Sequence, residues 1–168
     1  MTTDTLLLFA LKLFAALGCG LMAGVFFAFS SFIMNALGRL PPAQGIAAMQ
    51  SINITVINPL FMAALFGTAA LCVFLAISAV SNWQQPGAAY LLAGSLLYLI
   101  GTIGVTAVFN IPLNNVLANA EPSSAEGASV WASYLTNWTI WNHVRGTAAL
   151  AAAASFILAL CQRGVQSF

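Results

Sequence analysis

The chain has 168 residues, 61% of them hydrophobic and only 4% charged, with a formal net charge of +1. A soluble domain carries about a quarter charged residues, so four basic and three acidic side chains cannot clothe a water-facing surface. The near-neutral balance also gives no electrostatic footprint for nucleic acid or an acidic partner, and no nucleic-acid binding is expected.

Crossing a hydrocarbon core of about 30 Å takes about 20 apolar residues in a helix. The first such run covers residues 5–34, far longer than the apolar region of a signal peptide, and reads as an uncleaved span. Within it Gly20, Gly24 and Ala28 recur at four-residue spacing, a stripe that lets helix backbones approach closely in lipid. A long connection, 35–58, follows. Its last residue, Asn58, stands before Pro59 in the form of a helix cap with proline at the first helical position. The second span covers 59–80, and the short polar turn Ser81–Gly87 folds it back antiparallel onto a third span, 88–109. A second long connection, 110–143, contains an amphipathic helix over about 126–143, with Ser123 or Ser124 as its cap and Glu126 in its first turn. That helix runs into the shortest span, 144–161.

The runs are continuous and lack period-two alternation, which indicates helices rather than a barrel. The expected fold is therefore all-α: an integral membrane four-helix bundle in a single domain, 1–168, with two long connections on one side and both termini on the other. Lys12 and Arg163 fall on the terminal side and Arg39 on the loop side. With Arg145 set aside as part of a site, the positive-inside rule places both termini in the cytoplasm. Cys19, Cys72 and Cys161 lie in separate apolar runs with no paired spacing, so neither a disulfide framework nor a zinc site is expected. Membrane lipid is the expected surroundings, and four spans bury so little surface that a homo-oligomer is an open expectation.

Nine of the ten asparagines lie in the two long connections or at their helix ends. An uncharged amide offers two donors and an acceptor and suits a site partly withdrawn from water. At about 100° per residue, Trp131, Tyr134, Trp138, Trp141, Asn142 and Arg145 share one helical stripe, while His143 projects from another face with Thr136, Thr139 and Thr147. An interfacial aromatic belt accounts for the rings but not for a histidine and an arginine at the mouth of a span, where ionisable groups are costly and need a partner or a wet cavity.

With one histidine and two loop-side carboxylates, Glu121 and Glu126, a di-iron carboxylate site is excluded, as is a bis-histidine haem within one subunit. No metal site is expected and no conventional cofactor, although a single axial ligand to haem or a metal at His143 stays open. No nucleotide fingerprint or Ser-His-Asp arrangement is present. What the inventory permits is acid–base chemistry on a hydrophobic small molecule, with imidazole as base, guanidinium and amides at an oxyanion, and rings stacking on a flat ligand. The competing class is a non-catalytic bundle that binds a lipid, a quinone or a partner subunit, with the polar residues joining helices.

Several blocks together resemble the anthrone oxygenase family of four-helix membrane proteins. They are Phe26-Phe27-Ala28-Phe29-Ser30, Leu40-Pro41-Pro42-Ala43-Gln44, Met49-Gln50-Ser51-Ile52-Asn53, Asn58-Pro59-Leu60-Phe61, Asn110-Ile111-Pro112-Leu113-Asn114-Asn115, and the tryptophan-rich run from Trp131 to Arg145 ending Trp141-Asn142-His143-Val144-Arg145. The resemblance covers nearly the whole chain, and the last two blocks are its most specific part. It implies oxidation of a polycyclic aromatic anthrone by O2 without a conventional cofactor. On that basis His143 is expected as the base, with Arg145, Asn110 and Asn114 orienting or stabilising the oxyanion. Asn53, Tyr134, Trp138 and Asn142 are expected to line the substrate pocket, all meeting in one crevice just inside the bilayer boundary.

Overall fold

The computed structural model describes residues 3–162, with side chains from residue 6 onward, and among these the chain is helical with no strand. Arg163, counted above on the terminal side, lies outside the described residues. Helix α1 (Thr3–Ala28) passes through a π-helical turn, Phe29–Ile33, into α2 (Met34–Gly38). Helices α3 (Pro42–Thr55) and α4 (Pro59–Ser81) follow. Helix α5 (Ala88–Leu96) continues through π-helical stretches, Leu97–Gly104 and Thr106–Asn110, into α6 (Ile111–Ala118), and α7 (Ala125–Cys161) is the last element.

Local chemistry sets the boundaries. Asn58 accepts a hydrogen bond from the Phe61 amide at 3.0 Å, with Pro59 supplying the first helical residue of α4. Ser124 does the same for α7, accepting from the Gly127 amide at 2.8 Å. The α4–α5 turn needs Gly87 twice over. Its φ is +84°, and a Cβ there would stand 3.1 Å from the Ala159 carbonyl oxygen, so the turn closes tightly on the end of α7.

Four helical runs are long and apolar enough to cross a membrane: Leu6–Gly38, Pro59–Ser81, Ala88–Ala118 and Ala125–Cys161. The protein is a membrane protein with an all-α bundle fold. At about 1.5 Å per residue the second run matches the bilayer, whereas the first, third and fourth, of 33, 31 and 37 residues, overshoot a core of about 30 Å by half again or more. The excess gathers at the end of the long connections, where α3 packs across α7 and α6.

Two apolar clusters result. One fills the spanning part and includes Met22, Phe26, Leu75, Leu91, Tyr98, Ala152 and Phe156. The other fills the cap, from Met34, Ile46, Met49, Leu117, Trp131, Tyr134 and Trp138. The glycine stripe plays no part in either: Gly20, Gly24 and Gly67 have open space where a Cβ would stand.

The third run differs from the expectation in its length. Helix does not stop at Phe109 but continues through Pro112 to Ala118, so Asn110–Asn115, expected at the start of the second long connection, is helical. A proline inside an α-helix loses its own amide bond and collides with the carbonyl four residues back. Here Pro112 sits at the first turn of α6, directly after the wider π-helical backbone, which absorbs both effects. The amphipathic stretch and the fourth span are likewise one unbroken helix, α7.

Candidate functional site

A polar layer separates the two clusters. On α7 the buried residues recur in steps of three and four, through Trp131, Tyr134, Trp138, Asn142, Arg145, Ala149, Ala152, Phe156 and Ala159. This single line of side chains faces the bundle and is polar only near its middle. The third run answers with Thr102, Thr106 and Asn110, four residues apart, and the first with Ser30 in its π-helical turn. Single-turn π-helical insertions re-aim side chains and cluster at functional sites; here they carry Ser30, Thr102, Thr106 and Asn110.

Asn142 is the hub. Its amide nitrogen donates to the Phe26 carbonyl at 2.7 Å and to Ser30 Oγ at 2.6 Å. Its Oδ1 accepts both Nε and Nη2 of Arg145, at 2.9 and 2.7 Å. Arg145 Nη1 donates to Thr106 Oγ1 at 3.2 Å, and Thr102 Oγ1 donates to the Arg145 carbonyl at 3.1 Å. The guanidinium carbon lies 4.2 Å from the centre of the Phe26 ring and 5.0 Å from that of Trp138, a distance at which a desolvated cation is attracted by the ring face. Arg145 is 8% exposed, and its described partners are neutral. Of the five N–H groups of a guanidinium, three are committed here.

A cavity of about 290 Å³ opens beside this layer, at the lower end of the range of about 300–1,000 Å³ in which small-molecule sites fall. Its walls are mainly apolar and aromatic, with Phe26, Phe29, Met49, Ile52, Phe61 and Trp138 among them. The polar members of the lining are Asn53, Thr106, Asn114 and Arg145. Asn114 is held by Tyr134, whose hydroxyl donates to its Oδ1 at 2.8 Å. Tyr134 also stands in a ladder of rings, 5.7 Å from Trp131 and 6.0 Å from Trp138 between centres.

The structure thus brings Asn53, Asn114, Trp138 and Arg145 to one cavity, with Tyr134 behind Asn114 and Asn142 behind Arg145. Asn110 is buried nearby but donates to the Trp138 carbonyl at 3.2 Å and is not part of the lining. His143 is not brought in. It is exposed and lines a separate groove between α1 and α7, with Gly20, Gly24, Phe27 and Thr147. The expected common crevice is corrected on this point: two residues along a helix turn a side chain about 200°, so an inward Arg145 sends His143 outward. Among the described residues, no group of three or more His, Cys, Asp or Glu is placed to hold a metal ion.

Ser30, Thr102 and Thr106 were not singled out from the sequence. The available signal was polar residues at four-residue spacing within an apolar run, with Thr102, Thr106 and Asn110 on one stripe.

Residues 59–155 match the model of a family described as anthrone oxygenase. The matched stretch is more than half the chain and holds Thr106, Asn114, Trp138, Asn142 and Arg145. No curated protein and no solved structure matches.

Proposed function

The chain belongs to the anthrone oxygenase family, and from that premise we propose that it oxidises a hydrophobic polycyclic anthrone with O2, without a conventional cofactor. The observation that carries this reading is a buried guanidinium with neutral partners, lining an aromatic-walled cavity. A buried cation needs compensation. The two N–H groups left on Arg145 are matched to a flat ligand that bears, or can develop, negative charge on oxygen.

An anthrone carries a carbonyl and, across its central ring, a methylene. Losing one methylene proton makes the ring aromatic and puts charge on the carbonyl oxygen. Arg145 stabilises that oxyanion, Asn142 fixes the guanidinium, and Asn53 and Asn114 supply further amide contacts. Among the described residues no carboxylate or imidazole lines the cavity; the proton passes to interfacial water and the protein acts by favouring the ionised form. The electron-rich ring carbon passes one electron to O2, and the radical pair joins through a carbon–oxygen bond. The resulting peroxide takes up a proton, and loss of water leaves the second carbonyl. In sum, anthrone plus O2 gives anthraquinone plus water. Phe26, Phe29 and Trp138 hold the ring system and keep bulk water from the oxyanion, which strengthens the charge-assisted bonds.

The test is aerobic turnover of a hydroxylated anthrone by the protein in phosphatidylcholine vesicles, with O2 consumption and quinone absorbance recorded together. One O2 consumed per quinone formed, at a rate above that of empty vesicles, is expected; a rate equal to empty vesicles overturns the reading. The same proposal keeps both termini in the cytoplasm. Cys161, exposed near the end of α7, is then labelled by an impermeant maleimide from the cytoplasmic side alone.

A further inference from the structure

Resting on that reading, we infer that the cavity is entered sideways from the bilayer, through a gap between α4 and the third helical run, and that the substrate comes in carbonyl first from lipid.

The rim carries the argument. Four residues of the lining are exposed, namely Ile57, Phe66, Ala107 and Ile111. All four are apolar, and Ile57, Phe66 and Ile111 are 71%, 56% and 46% exposed. The polar members lie further in: Arg145 is buried, and Asn53, Thr106 and Asn114 are half-buried. A mouth facing water would be expected to carry its polar residues at the rim and its apolar ones within. Here the order is reversed, as suits a mouth facing hydrocarbon.

Backbone architecture accounts for the gap. α4 packs along α5 and Leu97–Gly104, whereas Thr106–Asn110 and α6 pack on α7. Phe66 lies in one membrane-crossing run and Ala107 in another. Ile57 belongs to the short link that joins α3 to α4. The three positions frame an opening at the level of the polar layer.

This gradient also sets the pose. A ketone entering from lipid leads with its one strongly polar group, which reaches Arg145. The methylene across the ring then trails toward the Ile57 edge of the opening, at the start of the α4 span, where interfacial water takes up its proton. O2 dissolves more readily in hydrocarbon than in water, so it reaches that carbon by the same route. The substrate class is narrowed accordingly to lipid-partitioned polycyclic aryl ketones without a sugar or sulfonate substituent, since such a group on the trailing edge would have to sit in the apolar rim.

Entry is tested by kinetics, because equilibrium affinity does not depend on route. The probe is 9-phenanthrol, a flat fluorescent phenol, exchanged under argon, so that it is not oxidised, between vesicles and the reconstituted protein in a stopped-flow instrument. Ala107→Trp narrows the opening, as does the independent variant Ile57→Trp. Each is expected to slow association and release together by about tenfold or more. Val108→Trp adds the same bulk one residue away, at a position that is 62% exposed and not part of the lining, and is expected to leave both rates within about twofold of wild type. Unchanged rates in both rim variants, with probe binding intact, overturn the side entrance and leave the proposed oxidation standing. Slowed exchange in a protein that oxidises no anthrone supports the entrance and overturns the oxidation.

Discussion

Replacing Arg145 with methionine keeps most of the side chain's length and apolar bulk while removing its charge and all its N–H groups. The catalytic loss follows from what those groups do. A hydrogen bond to a charged group contributes about 1.5–3 kcal/mol, and losing a donor to a developing oxyanion costs about 10²–10³ in rate. Turnover of the hydroxylated anthrone should therefore fall by about two to three orders of magnitude. The fold should suffer less. Asn142 Oδ1 loses both Arg145 donors but keeps its place through Phe26 and Ser30. The interhelical bond lost to Thr106 is worth about 0.6 kcal/mol on average within membranes, and the Asn142 Oδ1 left unpaired costs about 1–3 kcal/mol, but the variant buries no charge. The assay is initial-rate quinone formation in vesicles, alongside a helical melting curve and probe-binding stoichiometry on the same preparation. A folded Arg145→Met protein that binds one probe per chain and turns over within threefold of wild type would refute the reasoning.

Three further outcomes follow from the same geometry. His143→Gln should keep at least half of wild-type turnover, because the imidazole lines the outer groove rather than the cavity; a tenfold loss in initial rate would return it to the chemistry. Asn110→Leu should melt at the same temperature as wild type or higher. Its buried Oδ1 has no partner, and relieving an unsatisfied acceptor offsets about 1–3 kcal/mol against one long bond to the Trp138 carbonyl. A fall of several degrees in the melting midpoint would contradict that. Gly45→Ala should loosen the cap: the new Cβ would meet the Trp131 ring at 2.9 Å and the Leu37 carbonyl oxygen at 3.0 Å, and such overpacking costs about 1–3 kcal/mol. Faster proteolysis within α3 than in wild type is the expected readout.

The spanning helices were legible because lipid imposes one rule, continuous apolar length, and the sequence states it directly. Caps at Asn58 and Ser124 were legible for an equally local reason. Helix α3 was not. Residues 42–55 mix small, polar and apolar types, and their helix is fixed by packing of Ile46 and Met49 against Leu117 and Trp131, contacts distant in sequence. Pro112 misled in the other direction, because a proline just past an apolar run reads as the end of the helix unless the π-helical register before it is known. The site divided in the same way. The α7 stripe could be read from spacing, which put Trp138, Asn142 and Arg145 on one line and His143 off it. That the imidazole would join them was an inference from chemical need, and helical geometry did not grant it. Asn53 came to the cavity only through the fold of α3, which no local pattern announces.

The central claim is that this cavity stabilises negative charge on the oxygen of a flat aromatic. Titrating bound 9-phenanthrol under argon by its phenolate absorbance measures this directly, in wild type and Arg145→Met, both in neutral phosphatidylcholine vesicles. Stabilisation of about 1.5–3 kcal/mol, at 1.36 kcal/mol per pH unit, predicts that the wild-type-bound phenol ionises about one to two pH units below the variant-bound one. Coincident midpoints would contradict the account.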